Sequence, residues 1–283
     1  MKIAVITDSA ANLLPEFIEK HPNLFVLPLK IIIDAVEFKD QIEISAKEVY
    51  EKLDTSTVTT SLPSIGDLNA LIQKLKEEKY TDILAINISS GLSGTFNAFR
   101  LAFQEVEGIN IEHYDSLTLA GGLGFIVEYA LELIKAKTPL KEIIPLLDKL
   151  RFEDSLAIYT VNTLKYLRKG GRIGKVEGTI GDLLHIKPII TVNEEGVYVT
   201  ISKALGVVKS LLRMKLMMVA KFGQEIIDFT IHYGDDLEKA KDLGNKLKEE
   251  LNIRNLVISP LTPVLGIHTG PMMFAYIARR IHN

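Results

Sequence analysis

Three short stretches of this chain bring together residue types that can do chemistry at close spacing. The first is Ser89-Ser90-Gly91-Leu92-Ser93-Gly94-Thr95, which follows the apolar run 82–88 and leads into a helical pattern reaching about Val106. A hydroxyl-rich turn between a buried strand and a helix is where open α/β sheets hold ligands, and the free N–H groups at the helix start attract an anion. Phosphate and carboxylate both meet that description. The Gly-Lys-Ser/Thr of a P-loop and the glycine fingerprint of a dinucleotide site are both missing, which excludes those two modes. The plainer reading is a tight turn that Ser93 caps. The same stretch also suggests a serine hydrolase or acyl esterase, with Ser93 as nucleophile and Asp115 and His268 following in the order of an α/β-hydrolase. The nucleophile elbow, however, needs Gly two residues after Ser, and here that position is Thr95.

The second stretch is Thr59-Thr60-Ser61-Leu62-Pro63-Ser64, at the end of a polar segment, 55–64, that reads as a loop. Ser64 suits the N-cap of the helix expected over 65–78, whereas Thr60 and Ser61 lie too far upstream for capping and are free to face a ligand. The third is Gly266-Ile267-His268-Thr269-Gly270-Pro271. Pro271 fits the first position of a helix running to about Ile281, which would place His268 at an electropositive helix start. A lone histidine is more often structural, but flanking glycines let a ligand approach this one. His113, His185 and His232 lack such a setting, and His282 falls in the chain's last residues. No credible metal site emerges. A basic turn, Arg168-Lys169-Gly170-Gly171-Arg172, is by default solvated; Arg168 and Arg172 are also well shaped to meet a phosphate or a phosphate-bearing partner.

The elements that must position these residues follow from periodicity. Apolar runs at 2–7, 82–88 and 111–114 alternate with helical patterns, which gives a parallel, doubly wound sheet. The run 24–33 contains Pro28 and reads as an edge or bent strand, and Ser45 with Glu48 forms a capping box. After about Arg151 the pattern changes to a strand at 155–160, a short helix at 163–168, and a hairpin over 186–202 around Glu194-Glu195-Gly196. Two helix–strand units follow before the expected last helix. The expectation is an α/β protein of two domains, 1–150 with a parallel sheet and 151–283 of mixed α/β type. The apolar stripes of 211–219 and 272–274 suit a core or, through their methionines, the wall of a tunnel for an alkyl chain.

Composition narrows the function classes. Hydrophobic residues are 47% and charged residues 24% of 283, which allows a well-filled core. A formal charge of −3 argues against a general nucleic-acid binder. With no cysteine there is no disulfide, thiolate metal site or cysteine nucleophile. The opening MKIAVITDSA is too short a run for a signal peptide, and 117–127 is too short to span a bilayer. A cytoplasmic protein without an integral membrane segment is expected.

Taken together, Ile-Thr-Asp-Ser at 6–9, Thr-Ser-x-Pro-Ser at 60–64, Ser-x-x-x-Ser-Gly-Thr at 89–95 and Asp-Ser at 115–116 resemble the DegV family. So do Thr-Leu-x-Tyr-Leu-x-x-Gly-Gly-Arg-Ile at 163–173, Lys-Pro-Ile-Ile at 187–190 and Gly-x-His-x-Gly-Pro at 266–271. The resemblance covers essentially the whole chain. It implies a non-catalytic lipid-binding protein of two α/β domains, active in lipid transport and fatty acid metabolism. A long-chain fatty acid such as palmitate would be buried as its ligand, without a cofactor, and its carboxylate held near the domain junction. By motif, Thr60 and Ser93 fall on the family's carboxylate-binding positions, with Ser61 and Gly94 beside them, and His268 on the histidine next to the head group. The resemblance further implies the acyl-presenting subunit of bacterial fatty acid kinase, in which a separate ATP-binding subunit phosphorylates the bound acid for phospholipid synthesis. A lipid-containing regulatory protein without carrier activity is the remaining alternative. Where kinase-linked members often carry Lys-x-Arg-Thr, this chain reads Lys203-Ala204-Leu205-Gly206.

Overall fold

The computed structural model describes residues 2–179 and 185–281. The chain runs β1 (Ile3–Asp8), α1 (Pro15–Glu19), β2 (Leu24–Leu27), β3 (Lys30–Ile33), β4 (Val36–Lys39), α2 (Ala46–Lys52), β5 (Val58–Ser61), α3 (Ile65–Glu77), β6 (Asp82–Asn87), α4 (Thr95–Phe103), β7 (Asn110–Asp115), α5 (Ala120–Lys135) and α6 (Leu140–Lys149). It continues with β8 (Ser155–Val161), α7 (Lys165–Lys169), β9 (Ile186–Val192), β10 (Tyr198–Leu205), α8 (Gly206–Phe222), β11 (Ile227–Tyr233), α9 (Leu237–Lys248), β12 (Ile253–Pro260), α10 (Pro263–Thr269) and β13 (Met273–Arg280).

The fold is mixed α/β. A four-stranded parallel sheet, ordered β2-β1-β6-β7, forms from the early apolar runs, and β1 and β6 are buried along their whole length. Strands covered on both faces read as continuous apolar segments, which is why they were legible. A six-stranded mixed sheet, ordered β10-β9-β8-β13-β11-β12, forms from the later residues. A small antiparallel sheet, β4-β3-β5, is inserted in sequence between β2 and β6 of the parallel sheet. One apolar cluster is confined to early residues, among them Ile6, Leu75 and Phe99, and another to late ones, among them Met214, Phe229 and Tyr276. The largest cluster draws on both, joining Val5, Leu123 and Ile126 to Val161, Leu265 and Ile277.

Local signals hold where expected. Ser45 and Glu48 form both halves of the capping box, and Ser64 Oγ accepts the Asp67 N–H. Three expectations need correction. The segment 24–33 is two strands in different sheets, with β2 at the edge of the parallel sheet. The segment 55–64 is not all loop, since the β-branched residues of β5 pair with β3. The helix expected over 271–281 is strand β13, paired antiparallel on both sides with β11 and β8. Being buried on both faces, it shows no alternation. The helix lies eight residues earlier, with Pro263 at its first position and Gly270 after its end at φ 74°.

Candidate functional site

The shift of that helix moves His268. It sits in the last turn of α10, the electronegative end, and not at a helix start. Two residues that sequence reasoning passed over set the position of α10. The buried Asp40 accepts the Val264 N–H at 2.9 Å and the Thr262 hydroxyl at 2.5 Å. Asn12 holds the preceding turn, accepting the Thr262 N–H and donating to the Pro260 carbonyl. Nothing local in the sequence signals either contact.

His268 Nε2 lies 3.5 Å from Thr60 Oγ1, across 208 residues of sequence. That is the outer limit of a hydrogen bond. Its Nδ1 is closed off from solvent and has no partner among the described residues. Burial, reinforced by the Arg172 guanidinium, lowers the imidazole pKa to about 4, so the ring is neutral at pH 7. Gly170 allows the close fit, because a Cβ there would fall 2.1 Å from Nδ1. Arg172 donates from Nη1 to the Gly170 carbonyl at 2.6 Å and from Nε to the Leu92 carbonyl at 3.3 Å. It thereby ties the basic turn to the serine-rich loop. The same loop meets the Thr60 region through Leu62, which packs 3.6 Å from where a Gly94 Cβ would stand.

Within the serine-rich loop the hydroxyls divide their labour. Ser89 is buried and donates to the Gly196 carbonyl at 2.7 Å, anchoring the loop to the β9–β10 turn. Ser93, at the entrance to α4, is half-buried; its Oγ accepts the Thr95 N–H and lies 2.9 Å from Thr95 Oγ1. Asp115 accepts the Ser90 and Leu117 N–H groups and so is engaged in shaping the loop, and the unpartnered His268 Nδ1 has no carboxylate to orient it. The Ser93–Asp115–His268 relay that a hydrolase requires is therefore not assembled. Ser61 ends β5 opposite Lys30, half-buried. Arg168 is exposed on α7, whose neighbours Lys165 and Lys169 bind Asp54 and the Leu53 carbonyl, so this part of the basic turn braces the approach to β5.

Beside the cluster opens an apolar slot between α10, the start of α5 and the inner face of the mixed sheet. Its walls include Leu119, Tyr159, Tyr198, Leu265, Met273 and Ile277, with Thr269 at the His268 end. About 470 Å³ there is unfilled by atoms, including its open mouth, yet only about 40 Å³ is wide enough to centre a water-sized sphere. Of the methionines considered for a tunnel, Met273 lines it, while Met214 and Met218 of α8 pack in a separate cluster. Thr60, Ser93 and His268 are not in its lining, which His268 adjoins through its neighbour Thr269. Among the described residues no group of histidine and acidic side chains is placed to hold a metal, and no helix is long and apolar enough to cross a membrane. His282 lies outside the described residues.

A parallel sheet and a mixed sheet sharing one core, with an apolar slot beside them, define a mixed α/β protein. The family model described as "Uncharacterised protein, DegV family" matches residues 2–280, and the chain belongs to the DegV family. A DegV domain-containing protein of Clostridium acetobutylicum is 40% identical, covering 98% of each chain. Among solved structures, a DegV family protein from Thermus thermophilus, described by its fatty acid binding, superposes with a TM-score of 0.90 at 29% identity, covering 99% of this chain and 100% of that one. A fatty acid binding DegV family protein from Streptococcus agalactiae gives a TM-score of 0.89 at 30% identity over 100% of both chains.

Proposed function

We propose that this protein binds a long-chain fatty acid, with the acyl chain in the apolar slot and the carboxylate at Thr60, Ser61, Ser93, Gly94 and His268. The observation that carries the reading is the meeting of Thr60 with the buried, neutral His268, one residue before Thr269 in the wall of the apolar slot. Burying an alkyl chain gains about 0.8 kcal/mol per methylene, so a palmitate-length chain gains on the order of 10 kcal/mol before the costs of association. A bare carboxylate would offset much of that unless hydrogen-bonded. Two hydroxyls, an N–H at the start of α4 and a neutral imidazole supply the donors, and the half-buried Arg172 supplies a nearby positive charge. The fatty acid binding described for the Thermus and Streptococcus proteins supports the same reading.

In this account the protein needs no cofactor and does no chemistry of its own. It is a cytoplasmic carrier of two domains, 1–150 and 151–283, with the ligand at their junction. It presents the acid to a separate ATP-binding fatty acid kinase subunit, where Arg172 and Arg168 meet the added phosphate or the partner. Leu205, 59% exposed at the end of β10, makes that contact apolar where an arginine is usual. Replacing Thr60 and Ser93 together by alanine should weaken binding of a fluorescent fatty acid at least tenfold, the loss of two charge-assisted hydrogen bonds, with circular dichroism unchanged. Unaltered affinity would remove both residues from the site. A fluorophosphonate should leave Ser93 unlabelled, and labelling would revive the hydrolase reading.

A further inference from the structure

One dipeptide at the end of β1 reaches all three parts of the proposed carboxylate site. Asp8 and Ser9 are buried, and neither lines the slot. Asp8 uses both carboxylate oxygens. Oδ1 accepts the Ala10 N–H at 3.1 Å, which caps the turn at 9–11. Oδ2 crosses to the neighbouring strand β6, where it accepts the Asn87 side-chain N–H at 2.9 Å and the Ile88 N–H at 2.9 Å. Those two residues are the root of the serine-rich loop: Ser89 follows at once, and its carbonyl accepts the Ser93 N–H at 3.0 Å. Asn87 is held in turn by His113 of β7, whose Nε2 lies 2.9 Å from its Oδ1.

Ser9 serves the other two parts. Its Oγ accepts the Leu29 N–H at 3.0 Å, fastening the start of β3, which pairs through Ile31 with Thr60. Its hydroxyl also faces Asp40, the carboxylate that fixes α10 and so His268. Capping alone does not call for this arrangement, since an asparagine caps as well as an aspartate. Asparagine has one acceptor oxygen, however, whereas Asp8 takes three donors on two. A buried carboxylate is costly unless hydrogen-bonded, and its charge-assisted bonds are stronger than neutral ones. Burial raises the Asp8 pKa to about 6, with its three hydrogen bonds opposing the rise, so the group stays largely ionised at pH 7.

Resting on the fatty-acid reading above, we propose that Asp8-Ser9 is the positioning element of the carboxylate site, setting the spacing of Ser93, Thr60 and His268 without touching the ligand. The test is a double-mutant cycle read by affinity for a fluorescent fatty acid, in delipidated protein whose folding is verified by circular dichroism. Asp8→Asn keeps the size of the side chain but turns an N–H toward one of its donors, so affinity should fall about tenfold. In Ser93→Ala protein the same substitution should cost less than about twofold, because no hydroxyl is left to misplace. Phe229→Leu, in the separate cluster of late residues, is the control: it should lower urea stability and leave affinity within about twofold of wild type. Wild-type affinity in Asp8→Asn, a loss that survives in full beside Ser93→Ala, or an equal loss in the control overturns the proposal. Should Asp8→Asn not fold, Ser9→Ala carries the same cycle against His268→Ala. Failure of the wild type to bind any fatty acid would sink the fatty-acid reading itself, a distinguishable outcome.

Discussion

Two buried histidines, His232 and His268, share a basicity depressed by burial and have opposite hydrogen-bonding states. His232 of β11 is satisfied on both nitrogens: Nε2 accepts the Gly121 N–H at 3.0 Å, and Nδ1 lies 3.0 Å from Ser259 Oγ. It serves as the missing cap of α5, whose own N-cap residue, Leu119, offers no side-chain oxygen. His268 has one loose contact and one nitrogen with nothing to bond. Burial lowers both to about pKa 4, so depressed basicity does not tell them apart. Unused hydrogen-bonding capacity does. The ring with both nitrogens bonded holds the fold, and the other is the one the proposed function assigns to a ligand.

That contrast can be broken by substitution. His232→Ala strands the Gly121 N–H and the Ser259 hydroxyl and opens a cavity, so urea denaturation should show a loss of about 3–5 kcal/mol. His268→Ala removes a ring with almost no polar contacts and should cost only about 1–2 kcal/mol, while affinity for a fluorescent fatty acid falls tenfold or more. Equal stability losses would erase the distinction. Gly170→Ala drives a methyl into His268 Nδ1 and should cost about 1–3 kcal/mol, with a binding defect like that of His268→Ala. Normal binding by this variant would mean that the imidazole is not part of the site.

A subtler test uses acidity. His232 has a folded pKa of about 4 against an ordinary 6.5. Between those values the unfolded chain takes up a proton that the folded chain refuses, so stability is lost as pH falls through that window. The loss approaches about 1.4 kcal/mol per pH unit. His232→Ala lacks this term. Its stability deficit relative to wild type should therefore shrink between pH 7 and pH 4.5, and a constant deficit would contradict the assignment.

Much of the frame could be read from the residues alone, because local rules dominate there. The buried runs of β1 and β6, the Ser45–Glu48 box and the Ser64 cap each depend on neighbours within a few residues. The end of the chain misled because Met, Ala and Arg favour helices, while a strand enclosed on both faces gives no period of two. Pro271 then looked like a helix start, although Pro263 is the real one. The types of the site residues were legible, but their meeting was not. Thr60 and His268 are brought together by Asp40 and Asn12, contacts more than 200 residues long in sequence that no spacing rule encodes.

The central claim is that the slot beside His268 holds a fatty acyl chain. Protein purified from a bacterial host, extracted into organic solvent and analysed by mass spectrometry, should release a long-chain fatty acid in near one-to-one amount with the chain. An extract from well-folded protein that contains no fatty acid, together with failure to take one up when it is supplied, would contradict it.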